Sequence, residues 1–256
     1  MSSFPKTVLL VCSALCLLII VVPLLSLFLG TSPTAVWSTL LDGEVLSALI
    51  LTFSCALAAT LLGVLLGTPL AYLLGRHEFP SRHFIQGLVD LPLVIPHPVA
   101  GIALLLTFSA LGSQGTPVGH WTGIVIAMFF VACPLLINPL QEGFRSIPVE
   151  MEWTARTLGL GPTHTFFRVS LPMVRNNLLA GALMMWARSI SEFGAIVILV
   201  YNPKVVSVLI YDRFTSHGLA AALPVAVILV AVSMIVFVCL RAVQRRSRWI
   251  AGSSWL

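Results

Sequence analysis

The 256-residue sequence is short of charge before anything else, with Asp, Glu, Lys and Arg together making up 9% of it. Soluble domains carry about a quarter of their residues as charges, so this chain has too little polar material to cover a surface in water. Its six histidines form neither HxxxH nor HExxH, which removes the usual zinc-hydrolase spacings. The five cysteines, Cys12, Cys16, Cys55, Cys133 and Cys239, lie inside apolar runs without CxxC spacing, so neither a disulfide framework nor a zinc site is expected. GxSxG and the phosphate-cradling GxxxxGKS or GxxxxGKT patterns are missing too. Clustered nucleophiles, carboxylates or metal ligands would mark a membrane-embedded enzyme, and none converge. The chain is not expected to be an enzyme, to bind a metal or to meet nucleic acid.

What is there is hydrocarbon. Hydrophobic residues make up 58% of the sequence and the mean hydropathy is +1.03, which places it among helical membrane proteins. Crossing a bilayer takes about 20 apolar residues per helix. Six spans meet that need, near 7–29, 46–74, 88–111, 121–140, 174–200 and 219–240. The first has a positive start at Lys6 and resembles a secretory signal, but its long apolar run lacks an AxA-type end, so a retained helix is expected. Basic residues in short loops set orientation. With the amino terminus inside, the cytoplasmic side holds Lys6, Arg76, Arg82, Arg145, Arg156, Arg168, Arg175, Arg241, Arg245, Arg246 and Arg248, and the outside only Lys204 and Arg213. Both termini are therefore expected in the cytoplasm of a multi-pass plasma-membrane protein. The expected fold class is an all-α membrane protein forming one transmembrane domain over 1–256, with its core at about 45–240.

The connections differ in kind. The outer loop 112–120, GSQGTPVGH, is short and uncharged, and the outer segment 201–218 contains VVSVLIYDRF, an interfacial-helix pattern. The inner loop 75–87 is a brief basic turn. Only the inner loop 141–173 is long enough to fold by itself, and it reads as two short helices. For the first, Ser146 is the expected cap, Pro148 suits the first turn, Glu150 and Glu152 complement the helix dipole, and Gly159 supplies the stop. Glu152 and Arg156 stand at i,i+4, and Met151, Ala155 and Leu158 share a face. After Gly161 and Pro162 the second helix places Phe166 beside Phe167 and is expected to end at Leu171 and Pro172. A lipid-lying amphipathic loop has a similar composition, but the Gly and Pro punctuation fixes a shape that suits a protein socket better.

Within the spans, Pro92, Pro96 and Pro98 interrupt one apolar run, each removing a backbone donor. A broken helix at membrane depth is tolerated only against protein or a water-filled path, so this stretch is a candidate pore lining. Asp90 stands at its inner edge. His97 within it is either a pathway group or a partner for a carbonyl freed by the prolines. Arg188 and Glu192, one turn apart in the fifth span, are spaced for a salt bridge. The alternative is that Arg188 offers positive potential to a passing anion while Glu192 limits how tightly it is held. Gly63 and Gly67 form GxxxG, a close-packing signal that a subunit interface would also use. No internal repeat marks a secondary carrier.

A family resemblance adds to these readings. Permease subunits of ABC importers carry, in their last long cytoplasmic loop, a motif of the form E-A-A, three residues, G, nine residues, I, one residue, L-P. This chain has Gly159, nine residues, then Val169, Ser170, Leu171 and Pro172, the same spacing with Val for Ile. Its left end, Glu152 to Gly159 (EWTARTLG), is similar to the E-x-A-A-R-T-L-G of the oxyanion branch, with Thr154 in place of the first Ala. Residues 90–104, DLPLVIPHPVAGIAL, and 186–195, WARSISEFGA, resemble signatures of molybdate/tungstate and sulfate permeases. The resemblance implies a type I importer permease fold of six transmembrane helices. Its loop is then a coupling helix seated in a groove of the ATP-hydrolysing subunit. Glu152, Ala155, Arg156, Gly159, Thr163, Phe166, Leu171 and Pro172 are the implied coupling residues. Pro96, His97, Pro98, Arg188, Ser191 and Glu192 are the candidate translocation path.

The implied cargo is a tetrahedral oxyanion, molybdate or tungstate, with sulfate or thiosulfate as the alternative and an ion-coupled secondary transporter as the reading from another class. The implied partners are a second copy of the chain, two cytoplasmic ABC ATPases and an extracytoplasmic oxyanion-binding protein docking near 201–218. This chain binds no cofactor on that reading; ATP and magnesium are used by the ATPases.

Overall fold

A computed structural model describes residues 6–110 and 117–252, all helices and connections. The helices are α1 (Lys6–Leu29), α2 (Pro33–Leu40), α3 (Gly43–Arg76), α4 (Arg82–Val94), α5 (His97–Ala110), α6 (Trp121–Ala132), α7 (Pro134–Ser146), α8 (Val149–Thr157) and α9 (Pro162–Thr165). A π-turn at Phe166–Ser170 leads into α10 (Leu171–Met173), followed by α11 (Arg175–Ile190), α12 (Gly194–Leu199), α13 (Val206–His217) and α14 (Leu219–Gly252). No strand occurs among the described residues. The described cysteines, Cys12, Cys16, Cys55 and Cys133, are free. The uncharged outer loop expected at 112–120 lies outside the described residues up to 116.

Three helices are long and apolar enough to cross a membrane unaided: α1 over Val8–Leu29, α3, and α14 over Leu219–Val238. Two bent pairs are apolar enough to cross when each is taken together, α4 with α5 at 116° and α6 with α7 at 47°. The remaining expected span, 174–200, is divided into α11 and α12 by a break at 191–193. Each bend has a local cause. Pro96 disfavours the α conformation in the residue before it, and Ile95 is extended, with φ −71° and ψ 142°. Pro134 opens α7 in the first turn, where its missing N–H costs nothing.

The bundle is built around α3. Asp42 caps it, accepting from the Glu44 N–H at 2.9 Å, and its 34 residues span about 50 Å. That exceeds a hydrocarbon core of about 30 Å, so the charged residues at its two ends stand beyond the lipid tails. Ala56, Ala59, Gly63, Gly67 and Ala71 are buried along one stripe. The stripe lets α7 and α11 approach closely. Leu136 and Ile137 of α7 lie 3.4 and 3.1 Å from where a side chain on Gly67 would begin, and Met185 of α11 fills the space over Gly63. GxxxG therefore works within the chain, against its own α7 and α11. By contrast α1 has no buried residue over its apolar run.

Gly63→Ile would drive a branched side chain into the Met185 thioether. It should lower stability by about 1–3 kcal/mol, the usual cost of overpacking. Gly87→Ala on the open face of α4, where an added carbon meets nothing, should be neutral or slightly stabilising. Thermal unfolding of the two variants in the same detergent checks the contrast.

Candidate functional site

All six residues of the expected path converge where α5 meets the α11–α12 break. Gly194 lets the two helices touch: a carbon added there would sit 2.8 Å from His97 Cβ and 3.2 Å from Pro98 Cδ. Gly101 does the same one turn on, against the Ala195 carbonyl. At this junction Glu192 is wholly buried, its side chain 0% exposed. A buried carboxylate survives only when its lone pairs are answered. Arg188 Nη2 lies 2.9 Å from Oε2, and the Ala195 N–H donates to Oε1 at 2.9 Å, capping α12. His97 Nε2 is 3.7 Å from Oε2 and in contact with Arg188. The Glu192 carbonyl accepts from the Ser207 hydroxyl at 2.7 Å, tying the break to α13.

Arg188 thus does form the ion pair its spacing implies, and the pair has a structural task, holding two helix ends at a break. The exposed side of the cluster is different in character. Arg188 is 24% exposed, His97 37%, and Ser191, whose hydroxyl lies 3.3 Å from Arg188 Nη1, is exposed with Pro96 and Pro98. The open surface is cationic and hydrogen-bonding, with its counter-charge behind it. Asp90 lies elsewhere, bonded to Gln86 and to Asn138 of α7.

The second cluster is the loop between α7 and α11. Ser146 does not cap α8; its hydroxyl donates to the Gly143 carbonyl at 2.7 Å and closes α7, which leaves Pro148 in the cap position without a side-chain bond. Gly159 ends α8 as expected, and the reason is visible: its φ is +90°, with the Gly159 N–H bonded to the Arg156 carbonyl and the Leu160 N–H to the Ala155 carbonyl. This is a Schellman closure, which wants glycine at that position. Nor does Pro172 end the next helix. The missing proline N–H and the clash with the carbonyl four residues back are absorbed by the wider π-turn before it, and the chain breaks only at Val174 (φ −96°, ψ 9°).

Burial sorts the residues expected to couple. Glu152 pairs with Arg76 rather than Arg156, and Ala155 is buried. Phe166 packs between Tyr72 and Phe144, with ring centroids 4.9 and 6.1 Å away. Arg156, Gly159, Thr163 and Pro172 are exposed and Leu171 is half-buried. Met151 and Leu158 face outward, apart from Ala155, and Trp153 and Phe167 join them. Sequence reasoning chose Phe166 as the aromatic knob, but Phe167 is the exposed one. The missed signal was Tyr72 and Phe144 on neighbouring helices, which give Phe166 a pocket inside its own chain.

At the opposite end, α13 is fastened to the start of α3. Arg213 lies 2.6 Å from Asp42 and 3.1 Å from Glu44, while Lys204 lies 2.6 Å from Asp212 and 3.6 Å from Glu44. Hydrogen bonding to Arg213 lowers the Asp42 pKa, and Lys204, then Tyr201, lower that of Asp212; Asp212 in turn raises that of Lys204.

The architecture is that of an ABC transporter membrane subunit. A chain of the bacterial alginate ABC transporter, in complex with an alginate pentasaccharide-bound periplasmic protein, superposes with a TM-score of 0.76 at 15% identity, over 94% of this chain and 93% of that one. Residues 67–249 match the family described as binding-protein-dependent transport system inner membrane component, and the chain belongs to that family. Both candidate clusters lie within the matched stretch. The molybdate/tungstate transport system permease protein WtpB of Pyrococcus furiosus is 44% identical, over 84% of each chain. That of Thermococcus kodakarensis is 41% identical over 91% of this chain and 90% of its own. Sulfate transport permeases match more distantly, at 29% to 31%.

Arg188→Gln leaves the buried Glu192 without its counter-charge, and should lower stability by about 3–5 kcal/mol. Changing both residues to Gln should recover much of that loss, as thermal unfolding in detergent would show.

The α13–α3 clamp has a pH window. Its carboxylates, with lowered folded pKa values, contribute above the unfolded value of about 3.9 and lose that contribution as pH falls through the folded one. Lys204, with a raised value, contributes below about 10.4 and loses it as pH rises further. Hydrogen-exchange protection of α13, corrected for intrinsic rate, should be flat from about pH 5 to 9 and drop below about pH 4.

Proposed function

We propose that this protein is the transmembrane permease subunit of an ATP-driven importer for a tetrahedral oxyanion, molybdate or tungstate. The observation that carries this reading is identity to proteins named for molybdate/tungstate transport, over most of both chains and above that to sulfate permeases. On this reading the chain crosses six times with both termini and the α8 loop in the cytoplasm, which the eleven-to-two distribution of basic residues supports. Two copies form the path, and two cytoplasmic ATPases, using ATP and magnesium, supply the energy. An extracytoplasmic binding protein delivers the anion near α13.

The exposed apolar side chains of the loop support the coupling assignment. Met151, Trp153, Leu158 and Phe167 stand 47%, 61%, 80% and 60% exposed on short rigid helices, a surface that a socket in a partner would cover. Ala155 and Glu152 serve that surface from inside, while Arg156, Gly159 and Thr163 lie on it. When the ATPases close, the loops follow, and the broken helices α4–α5 and α11–α12 switch the path between inward- and outward-open. Arg188, His97 and Ser191 present positive charge and hydrogen bonds to the passing anion. Glu192, sealed behind them, keeps that charge partly neutralised so that the anion also leaves.

Co-purification decides the class. The tagged protein should bring down an ATPase, and molybdate uptake should stop when that ATPase is disabled; uptake without ATP would instead identify a secondary carrier. Comparing molybdate, tungstate and sulfate binding to the extracytoplasmic partner would settle the cargo.

Two substitutions test the assigned residues. A bulky residue at Gly159 must adopt a left-handed backbone, at about 1–2 kcal/mol, and should sharply lower substrate-stimulated ATP hydrolysis in a properly inserted protein. Uptake unchanged by joint replacement of Arg188 and Glu192 with Gln, in an assembled complex, would leave the pair a purely structural role.

A further inference from the structure

We infer that Arg76 is a positioning residue for energy coupling: it locks the ATPase-facing helix α8 to the end of α3, so that the two move as one body. This rests on the reading of α8 as the coupling element. Arg76 is the last residue of α3, and its guanidinium reaches two other elements at once. Nε and Nη2 each lie 3.1 Å from Glu152 Oε1, on α8, and Nη1 donates to the Ile147 carbonyl at 2.8 Å, at the exit of α7. The same Glu152 oxygen accepts from the Ser170 hydroxyl at 2.6 Å, bringing in the π-turn that leads to α11. Arg76 and Glu152 side chains are only 6% and 8% exposed. One buried ion pair therefore joins α3, the α7–α8 corner, α8 and the chain entering α11.

Two features make it a transmitter rather than surface decoration. Exposed ion pairs exchange freely with water and fix little. A buried pair with further hydrogen bonds has one geometry, and removing either partner leaves an uncompensated charge. Beneath it Tyr72 and Phe144 of α3 and α7 close on Phe166, with Tyr72–Phe144 centroids 5.1 Å apart, so the loop is seated on α3 by an aromatic contact as well. α3 is the helix against which α6, α7 and α11 pack. A push delivered to the exposed Trp153 and Leu158 thus enters the bundle through Arg76. Only a fork-shaped donor holds the carboxylate and the carbonyl together, which a lysine ammonium cannot do with the same geometry.

The test uses the complete transporter, with its ATPases and binding protein, in proteoliposomes supplied with molybdate. Three quantities are read: basal ATP hydrolysis, its stimulation by molybdate-loaded binding protein, and molybdate imported per ATP. Arg76→Gln should lower molybdate per ATP by about five- to tenfold with basal hydrolysis and co-elution of the ATPase retained, and Glu152→Gln should lower molybdate per ATP to the same degree. Arg76→Lys should fall between, and the double Gln variant should be no worse than either single change, because both remove the same link. If Arg76→Gln fails to assemble, Arg76→Lys carries the same test. A normal ratio in the assembled variants, with only yield or melting temperature reduced, overturns the inference and leaves Arg76 a structural brace. ATP-independent uptake by the wild type would instead overturn the importer reading itself.

Discussion

Every polar group carried into hydrocarbon must be answered by the protein, and the shape of this bundle follows from how its broken helices meet that demand. At the α11–α12 break the answer is Glu192. Its carboxylate caps α12 through Ala195, neutralises Arg188 and sits beside His97, while its carbonyl receives Ser207. At the start of α13, the Val206 N–H donates to the Thr52 hydroxyl of α3 at 2.9 Å. The α4–α5 bend needs less, since Pro96 and Pro98 have no N–H to orphan. Breaks satisfied in this way bring Arg188, His97 and Ser191 together as one small polar surface in the bundle.

The basic end obeys a related rule at an interface with water. There the helices have room to leave apolar side chains exposed, and Trp153, Leu158 and Phe167 remain so, while the polar Glu152 and Ser170 turn inward. This inversion is what the proposed coupling surface requires. The opposite end shows the reverse arrangement, with α13 fastened by half-buried ion pairs.

Much of this was legible in the chain itself. The apolar runs located the long helices and the bent pairs, Pro96 located the α4–α5 corner, the i,i+4 spacing located the Arg188–Glu192 pair, and Gly159 located the end of α8. The failures share a cause. Ser146, Phe166 and Glu152 were each assigned to a local partner or to solvent, and each is claimed by something distant or by the wrong side of a boundary. Ser146 bonds backward into α7, Phe166 finds a pocket made by Tyr72 and Phe144, and Glu152 finds Arg76, 76 residues away. The small stripe on α3 was visible only as GxxxG, because its alanines are indistinguishable in sequence from those facing lipid. Sequence periodicity shows which residues share a face, but does not show which neighbour that face meets.

The helix α1, with nothing buried over its apolar run, bears on how such a chain diverges. A residue in the α3 stripe is held to one or two side chains by the atoms opposite it. Away from its contact with α14, a residue in α1 is held by its own chain only to a class, since valine, leucine and isoleucine all suit an unburied apolar position. Substitutions should therefore accumulate in α1 at the rate composition permits, and its sequence should record ancestry poorly while its length and oiliness persist.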